Sequence, residues 1–293
     1  MLNEQFQSVF TSESDDPIPD KGTSKHPNIP LLTISTPDIK QLLNNINPHK
    51  ATGPYDISGR VLKELQEKTA PIPNLIFTKS FHTANIAHAF TKGDKHKAVN
   101  YRSISLTCTC CKLMEHIVTK HVMNVLENNK ILNELQHGFR HNRSGETQLF
   151  SFIQELSETD NKNIQTNLLI MDFAKAFDKC PHHRLLYKLN YYGISGPTLH
   201  WISAFLTNRT QTVVNDGKSP STVPVTSGVP QGTVLDPVLF LVYISDLSDY
   251  LTHSQLRLFA VDSIIYMPIK SQHDCNKLQQ NLDAAARWER ATG

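Results

Sequence analysis

Long hydrophobic runs are missing from this 293-residue chain. No stretch approaches the ~20 consecutive apolar residues that a membrane-spanning helix needs. The opening MLNEQFQSVF has neither the basic start nor the apolar middle of a signal peptide. Both absences imply an intracellular protein, in nucleus or cytoplasm, with no membrane partner. Cysteine is sparse and poorly spaced for structural use. Three of the five cysteines fall in CTCCK (Cys108, Cys110, Cys111), which offers neither an even disulfide framework nor paired C-x2-4-C knuckles. His116 lies close by, yet structural zinc sites want that pairing, so reduced, mostly buried thiols are expected. Neither sign of charge dominates, since 29 basic and 27 acidic residues leave a formal net charge of +2 and a pI near 8.2. So mild a balance neither demands nor forbids a nucleic-acid partner, because a local basic channel can hide in a balanced total. Internal repeats are absent too, which excludes solenoids.

What is present is an ordinary globular composition, 39% hydrophobic and 19% charged, long enough for one large domain or two modest ones. Residues 11–35 are rich in Ser, Asp and Pro without periodicity, so a first tract, 1–35, reads as an extended or mobile arm. At STPDIKQLLNNIN, Thr36 can cap a helix and Pro37 suits its first position. Ile39, Leu42, Leu43 and Ile46 follow at helical spacing. The pattern stays mainly helical through GRVLKELQEK and CKLMEHIVTKHVMNVLENNKIL, giving a second tract, 36–166. From Asn167 strands and helices alternate. NLLIMDF is a continuous apolar run, RLLYKLNYYGI and TLHWISAFLTNR are helical, and TQTVVNDGKSPSTVPV is a hairpin turning at Asp216-Gly217. This third tract, 167–293, makes the fold class α+β.

Two carboxylates stand out. Asp172 ends a strand that reads as buried on both faces, and Asp262 sits in LRLFAVDSIIY, where two short apolar strands should turn. Asp is a common turn former, which is one reading of Asp262. The other is metal chemistry: strand-end carboxylates are costly to desolvate unless a cation stands opposite. Acids from two neighbouring strands suit a two-metal phosphoryl-transfer site.

The surrounding segments decide between these. KGDKHKAVNYRSISLT, QHGFRHNRSGETQL, DFAKAFDKCPH, SGVPQGTVLDP and LFAVD occur in an order and spacing that resemble the reverse transcriptases of non-LTR retrotransposons, the jockey and chicken-repeat-like LINE elements. The resemblance runs from about Gln5 to Trp288 and includes NPHKATGP and WISAFLTNRTQTVV. It implies a right-hand polymerase with a mainly helical fingers region over 36–166 and an antiparallel palm sheet flanked by helices over 167–293. It implies an RNA-directed DNA polymerase using RNA template, DNA primer and deoxynucleoside triphosphates, with Mg2+ or Mn2+ as cofactor. Carried over residue by residue, Asp172 would be catalytic and ligate the metals, with Asp262 beside it. Arg102, Phe177, Gln231 and Gly232 would bind the nucleotide, Phe177 as the gate against a 2′-hydroxyl beside Asp172. Gly228 and Pro230 would contact the template, and Lys92 would reach phosphate.

The chain also departs from the pattern the resemblance supplies. The family has Phe-Ala-Asp-Asp where this chain has Phe259-Ala260-Val261-Asp262, so valine occupies a metal-ligand position and metal binding should weaken. Strand alternation then predicts that position 261 converges on Asp172 while Asp262 turns aside. Ser103 stands for Pro, Tyr55 for an acid, Gly145 for Cys and Asp236 for Gly, and the stretch after FHTANIAHAF is short. With no thumb after WERATG and no preceding endonuclease, the expectation is a truncated, degenerate copy with impaired catalysis. The stripe Leu278, Leu282, Ala285 and Trp288 should then be incompletely covered. The alternative is a noncatalytic nucleic-acid-binding or interaction protein on the same fold.

Overall fold

Elements follow from local signals, and two sheets from pairings far apart in sequence. A computed structural model describes residues 2–11, 18–49, 57–69, 83–214 and 222–292. Its helices are α1 (Leu2–Gln7), α2 (Thr36–Asn44), α3 (Gly59–Glu64), α4 (Gln66–Thr69), α5 (Thr109–Asn128), α6 (Gly145–Asp160), α7 (Ala176–Lys179), α8 (His182–Tyr191), α9 (Gly196–Leu206), α10 (Asp236–Ile244) and α11 (Gln272–Thr292). Its strands are β1 (Thr83–Phe90), β2 (Tyr101–Leu106), β3 (Gln165–Asp172), β4 (Arg209–Val213), β5 (Val223–Val225), β6 (Gln255–Phe259) and β7 (Asp262–Ile269). The α+β expectation holds. No helix among the described residues is long and apolar enough to cross a membrane.

Helix starts obey capping chemistry. Ser35, one residue before the expected cap, accepts the Asp38 N–H, and Asp38 returns a bond to the Ser35 backbone, with Pro37 in the first turn. At α5 a thiol serves as the cap, the Cys108 sulfur accepting the Cys111 N–H. Cys108, Cys110, Cys111 and Cys180 are free and buried, and burial pushes the Cys110 thiol up to about 12.

A three-stranded sheet runs β3-β7-β6, antiparallel throughout, and a four-stranded sheet runs β2-β1-β4-β5. In the second, β1 pairs parallel with β4, so the sheets taken together are mixed, not purely antiparallel as expected. β1 and β2 are also strands within a tract expected to be mainly helical. The β4 and β5 strands form the expected hairpin, and its Asp216-Gly217 turn lies outside the described residues, as do Tyr55 and part of NPHKATGP.

The core gathers where α10 threads the middle. Eight of its nine residues are buried, the signature of a helix apolar all round. Leu185 and Leu189 of α8, Ile202 and Phe205 of α9, and Val118 and Val122 of α5 belong to the same buried cluster. Described residues of the tract expected to be extended or mobile run without regular structure over 18–35 and are hydrogen-bonded to α8 and the segment after it. Lys21 donates its backbone N–H to Tyr187, Ile29 donates to the Gly193 carbonyl, and Ser24 donates to the Tyr191 carbonyl. The α11 stripe is covered in part: Leu278 and Trp288 are buried while Leu282 and Ala285 are half-buried. The Trp288 indole N–H donates to Asp246 at 2.8 Å. That carboxylate also meets Lys188 and Lys21, each at 2.7 Å.

Candidate active site

β3 delivers Asp172 at its last position and β7 begins at Asp262. The ladder pairs Asp172 with Asp262, Ile170 with Ile264 and Leu168 with Tyr266. Residues directly opposite in an antiparallel pair share a face, with Cβ atoms about 5 Å apart. Both carboxylates are exposed, and neither forms an ion pair among the described residues. The expected convergence of position 261 on Asp172 is therefore corrected. The turn consumes two residues, Ala260 and Val261, so alternation restarts at Asp262, which faces Phe259 on one side and Asp172 on the other. Val261 instead packs, half-buried, against the core. Nor is β3 buried on both faces: Ile170 is 78% exposed beside the acidic pair.

The SGVPQG turn is built onto the segment following β3. Val229 N–H donates to the Phe177 carbonyl at 2.7 Å and Gly228 N–H to the Cys180 carbonyl at 2.8 Å. Gly228 has φ 87°, and a Cβ there would stand 2.6 Å from the Phe177 carbonyl oxygen, so only glycine permits this approach. Gln231 accepts the Ser105 N–H at 2.8 Å, which ties the turn to β2, the strand carrying exposed Arg102. Phe177 is half-buried, its ring 5.1 Å from that of Phe240. It lines a cavity of about 20 Å3 with Gly228, Pro230 and Gln231. Asp172 lines a different one, an apolar cavity of about 430 Å3 under β3 with Met171, Phe173, Phe240 and Trp288. The structure thus brings Phe177 to the SGVPQG turn, and Phe177 and Asp172 line these two different cavities. Lys92 is exposed on the segment between β1 and β2.

Two departures from the family pattern are integrated by hydrogen bonds. Ser103 donates to Asp178 at 3.2 Å, a carboxylate raised by burial despite nearby Lys175 and the Ser103 bond. Asp236 accepts the Gly232 N–H at 2.9 Å. Burial pushes Asp236 up to about 8, and Glu115 adds to the rise while the Gly232 bond opposes it.

Sequence reasoning assigned no role to two buried residues that serve these turns. Glu115 of α5 accepts the Val234 N–H at 2.6 Å and the Leu235 N–H at 3.2 Å. Gln136, in the QHGFR segment, bonds the Ala260 backbone beside Asp262. A polar residue within an otherwise apolar helical stripe was the available signal for Glu115. Gln136 had only its place in a matched segment.

No group of three or more His, Cys, Asp or Glu suited to a metal occurs among the described residues, so the acidic pair stands by itself. Comparison with known proteins matches residues 91–293 to the family described as reverse transcriptase (RNA-dependent DNA polymerase). The "RNA-directed DNA polymerase from mobile element jockey" of Drosophila melanogaster is 27% identical over 281 residues, covering 89% of this chain and 30% of that protein. Its namesake from Drosophila funebris is 25% identical over 278 residues, again 89% and 30%. The chain spans less than a third of the length of these two relatives. With the family model covering well over half of it, this chain belongs to the reverse transcriptase family.

Proposed function

We propose that this chain is the polymerase portion of a retrotransposon RNA-directed DNA polymerase, extending a DNA primer on an RNA template with deoxynucleoside triphosphates. The observation that carries the reading is the Asp172–Asp262 ladder pair at one end of the three-stranded sheet. Like charges directly opposite one another destabilise a sheet, and a cation between them reverses that cost. Mg2+ is content with one or two carboxylates, completing its shell from substrate phosphates and water, so the residues fit it. Asp172 and Asp262 would hold Mg2+ or Mn2+. Bound there, the cation would neutralise developing phosphate charge.

The remaining roles belong to side chains already located. Arg102 offers a planar fork to the triphosphate, with Lys92 as a second cation. Phe177 guards the sugar pocket, Gln231 and Gly232 meet the nucleotide, and Gly228 and Pro230 let the template approach the backbone. Residues 36–166 act as fingers and 167–293 as palm. Val261 contributes no oxygen where the family has a carboxylate, so polymerisation is slowed.

The test is primer extension on an RNA template with Mg2+ and with Mn2+. Weak extension that Asp172→Asn and Asp262→Asn each abolish, and that Val261→Asp raises, is the expected result. Extension indifferent to both Asn variants would overturn the assignment. Salt-sensitive RNA binding without extension would favour a noncatalytic nucleic-acid-binding protein, the alternative that Val261 supports.

A further inference from the structure

The pairing of Asp172 with Asp262 depends on the register of one hairpin, and a one-residue slip would turn every side chain of β7 to the other face. Register in a two-residue hairpin is ordinarily set by turn chemistry, with Asn-Gly or Gly-X supplying positive φ. Here the turn is Ala260-Val261, between the paired residues Phe259 and Asp262. Ala260 nonetheless lies at φ 54°, where a Cβ is disfavoured, and β-branched Val261 gives the turn no help. Something outside the hairpin must impose this conformation.

Gln136 is placed to do so. It is 3% exposed, and its side-chain amide holds both backbone groups of Ala260. The carbonyl Oε1 accepts the Ala260 N–H at 2.9 Å, and Nε2 donates to the Ala260 carbonyl at 3.4 Å. Oε1 also accepts the Gly138 N–H at 2.8 Å, which fixes the amide's orientation. The segment carrying Gln136 is itself strapped to β6. Leu258 N–H donates to the Leu135 carbonyl and His137 N–H to the Leu258 carbonyl, around a parallel bridge between Gln136 and Leu258. Gly138 presses on the turn so closely that a Cβ would stand 2.2 Å from the Ala260 nitrogen.

We infer that Gln136 is a positioning residue that clamps the Ala260 turn and thereby holds Asp262 in register with Asp172. Gln136 touches no reacting atom; it acts through the backbone of the turn. Its consequence for metal binding rests on the polymerase reading above, whereas the clamp itself rests on the hairpin geometry.

The clamp makes a prediction that a merely space-filling glutamine does not. If Gln136 is needed because Ala260 is held at positive φ, then glycine at 260, which visits that region freely, should relieve the need. Gln136→Met keeps the volume and removes the hydrogen bonds. In the full 293-residue chain, Gln136→Met should weaken Mn2+ binding about tenfold, as loss of a supporting partner typically does. Amide exchange in residues 258–264 should accelerate about tenfold relative to the distal ladder around Asn167 and Met267. Adding Ala260→Gly should restore most of both losses. Asp172→Asn should abolish Mn2+ binding whatever stands at 136.

Exchange that is unchanged in Gln136→Met, or that accelerates equally along the whole of β7, would overturn the clamp. So would failure of Ala260→Gly to recover either loss. If the wild-type chain binds no Mn2+, the polymerase reading falls, and the exchange arm still decides the clamp by the same criterion.

Discussion

Asp236→Asn should convert a strongly pH-dependent stability into a flatter one. Asp236 is 4% exposed; its Oδ2 accepts the Gly232 N–H, and its Oδ1 has no hydrogen-bond partner. Burial, reinforced by Glu115, lifts its carboxyl from the usual 3.8 to about 8. The folded state therefore holds this proton more tightly than the unfolded chain does. Its stabilising contribution is complete below about pH 4, declines as pH rises through the interval up to about 8, and is constant beyond. Asparagine keeps an oxygen for Gly232 and carries no titrating proton. Each pH unit above the unfolded pKa is worth ~1.4 kcal/mol, so the variant should gain on wild type by about 1 kcal/mol at pH 4.5. At pH 7.5 the gain should be about 5 kcal/mol. Acids other than Glu115, whose charge acts on Asp236, titrate alike in both proteins and cancel in the difference. Urea unfolding of the pair at pH 4.5, 6, 7.5 and 9 measures it directly. A difference that stays constant across that range would refute the reasoning, because it would mean that Asp236 is ionised in the folded protein.

Two further outcomes follow from the packing. Asp246→Ala should cost about 3–5 kcal/mol in equilibrium unfolding, because it strands the buried ammonium of Lys188 and frees Lys21 and Trp288 together; a cost under about 1 kcal/mol would mean the network is an ordinary surface pair. Gly228→Ala should cost about 3 kcal/mol, since its Cβ would meet carbonyl oxygens of Phe177 and Asp178 at 2.6 and 2.7 Å, and a wild-type midpoint in urea would refute the close approach.

The long elements were legible because their periodicity is sustained within one segment. Leu185 and Leu189, or Leu278 and Trp288, announce buried stripes without knowledge of what covers them. Asp172 was legible as a strand-end acid for the same reason. β1 was not, since its parallel partner β4 lies more than a hundred residues onward and TANIAHAF carries little apolar alternation of its own. The fastening of residues 18–30 was equally hidden. The Lys21–Asp246 pair joins positions 225 apart in sequence, and nothing local to DDPIPDKGTSKHP distinguishes a strapped segment from a free one.

The acidic pair shows where sequence pattern reaches its limit. Alternation is reliable along a strand, but it cannot say where a strand stops and a turn begins. Treating Val261 as a strand residue pointed it at Asp172; spending Ala260 and Val261 on the turn gives that position to Asp262. The difference is one residue, and it reverses the chemical consequence of the valine. On the first count the acidic pair is lost, and on the second an opposed pair remains with a neighbouring carboxylate missing. The other departures weigh the same way. Ser103 and Asp236, which look like drift beside the family pattern, each make a hydrogen bond, Ser103 to the Asp178 carboxylate of α7 and Asp236 to the Gly232 N–H of the SGVPQG turn. A chain losing its architecture would be expected to leave such substitutions unpartnered, because a buried polar group without a partner costs stability. Apart from the free Oδ1 of Asp236, these two are tied in. Ser103 and Asp236 therefore sit in a fold that has accommodated them, and Val261 packs half-buried against the core while Asp262 keeps its place opposite Asp172.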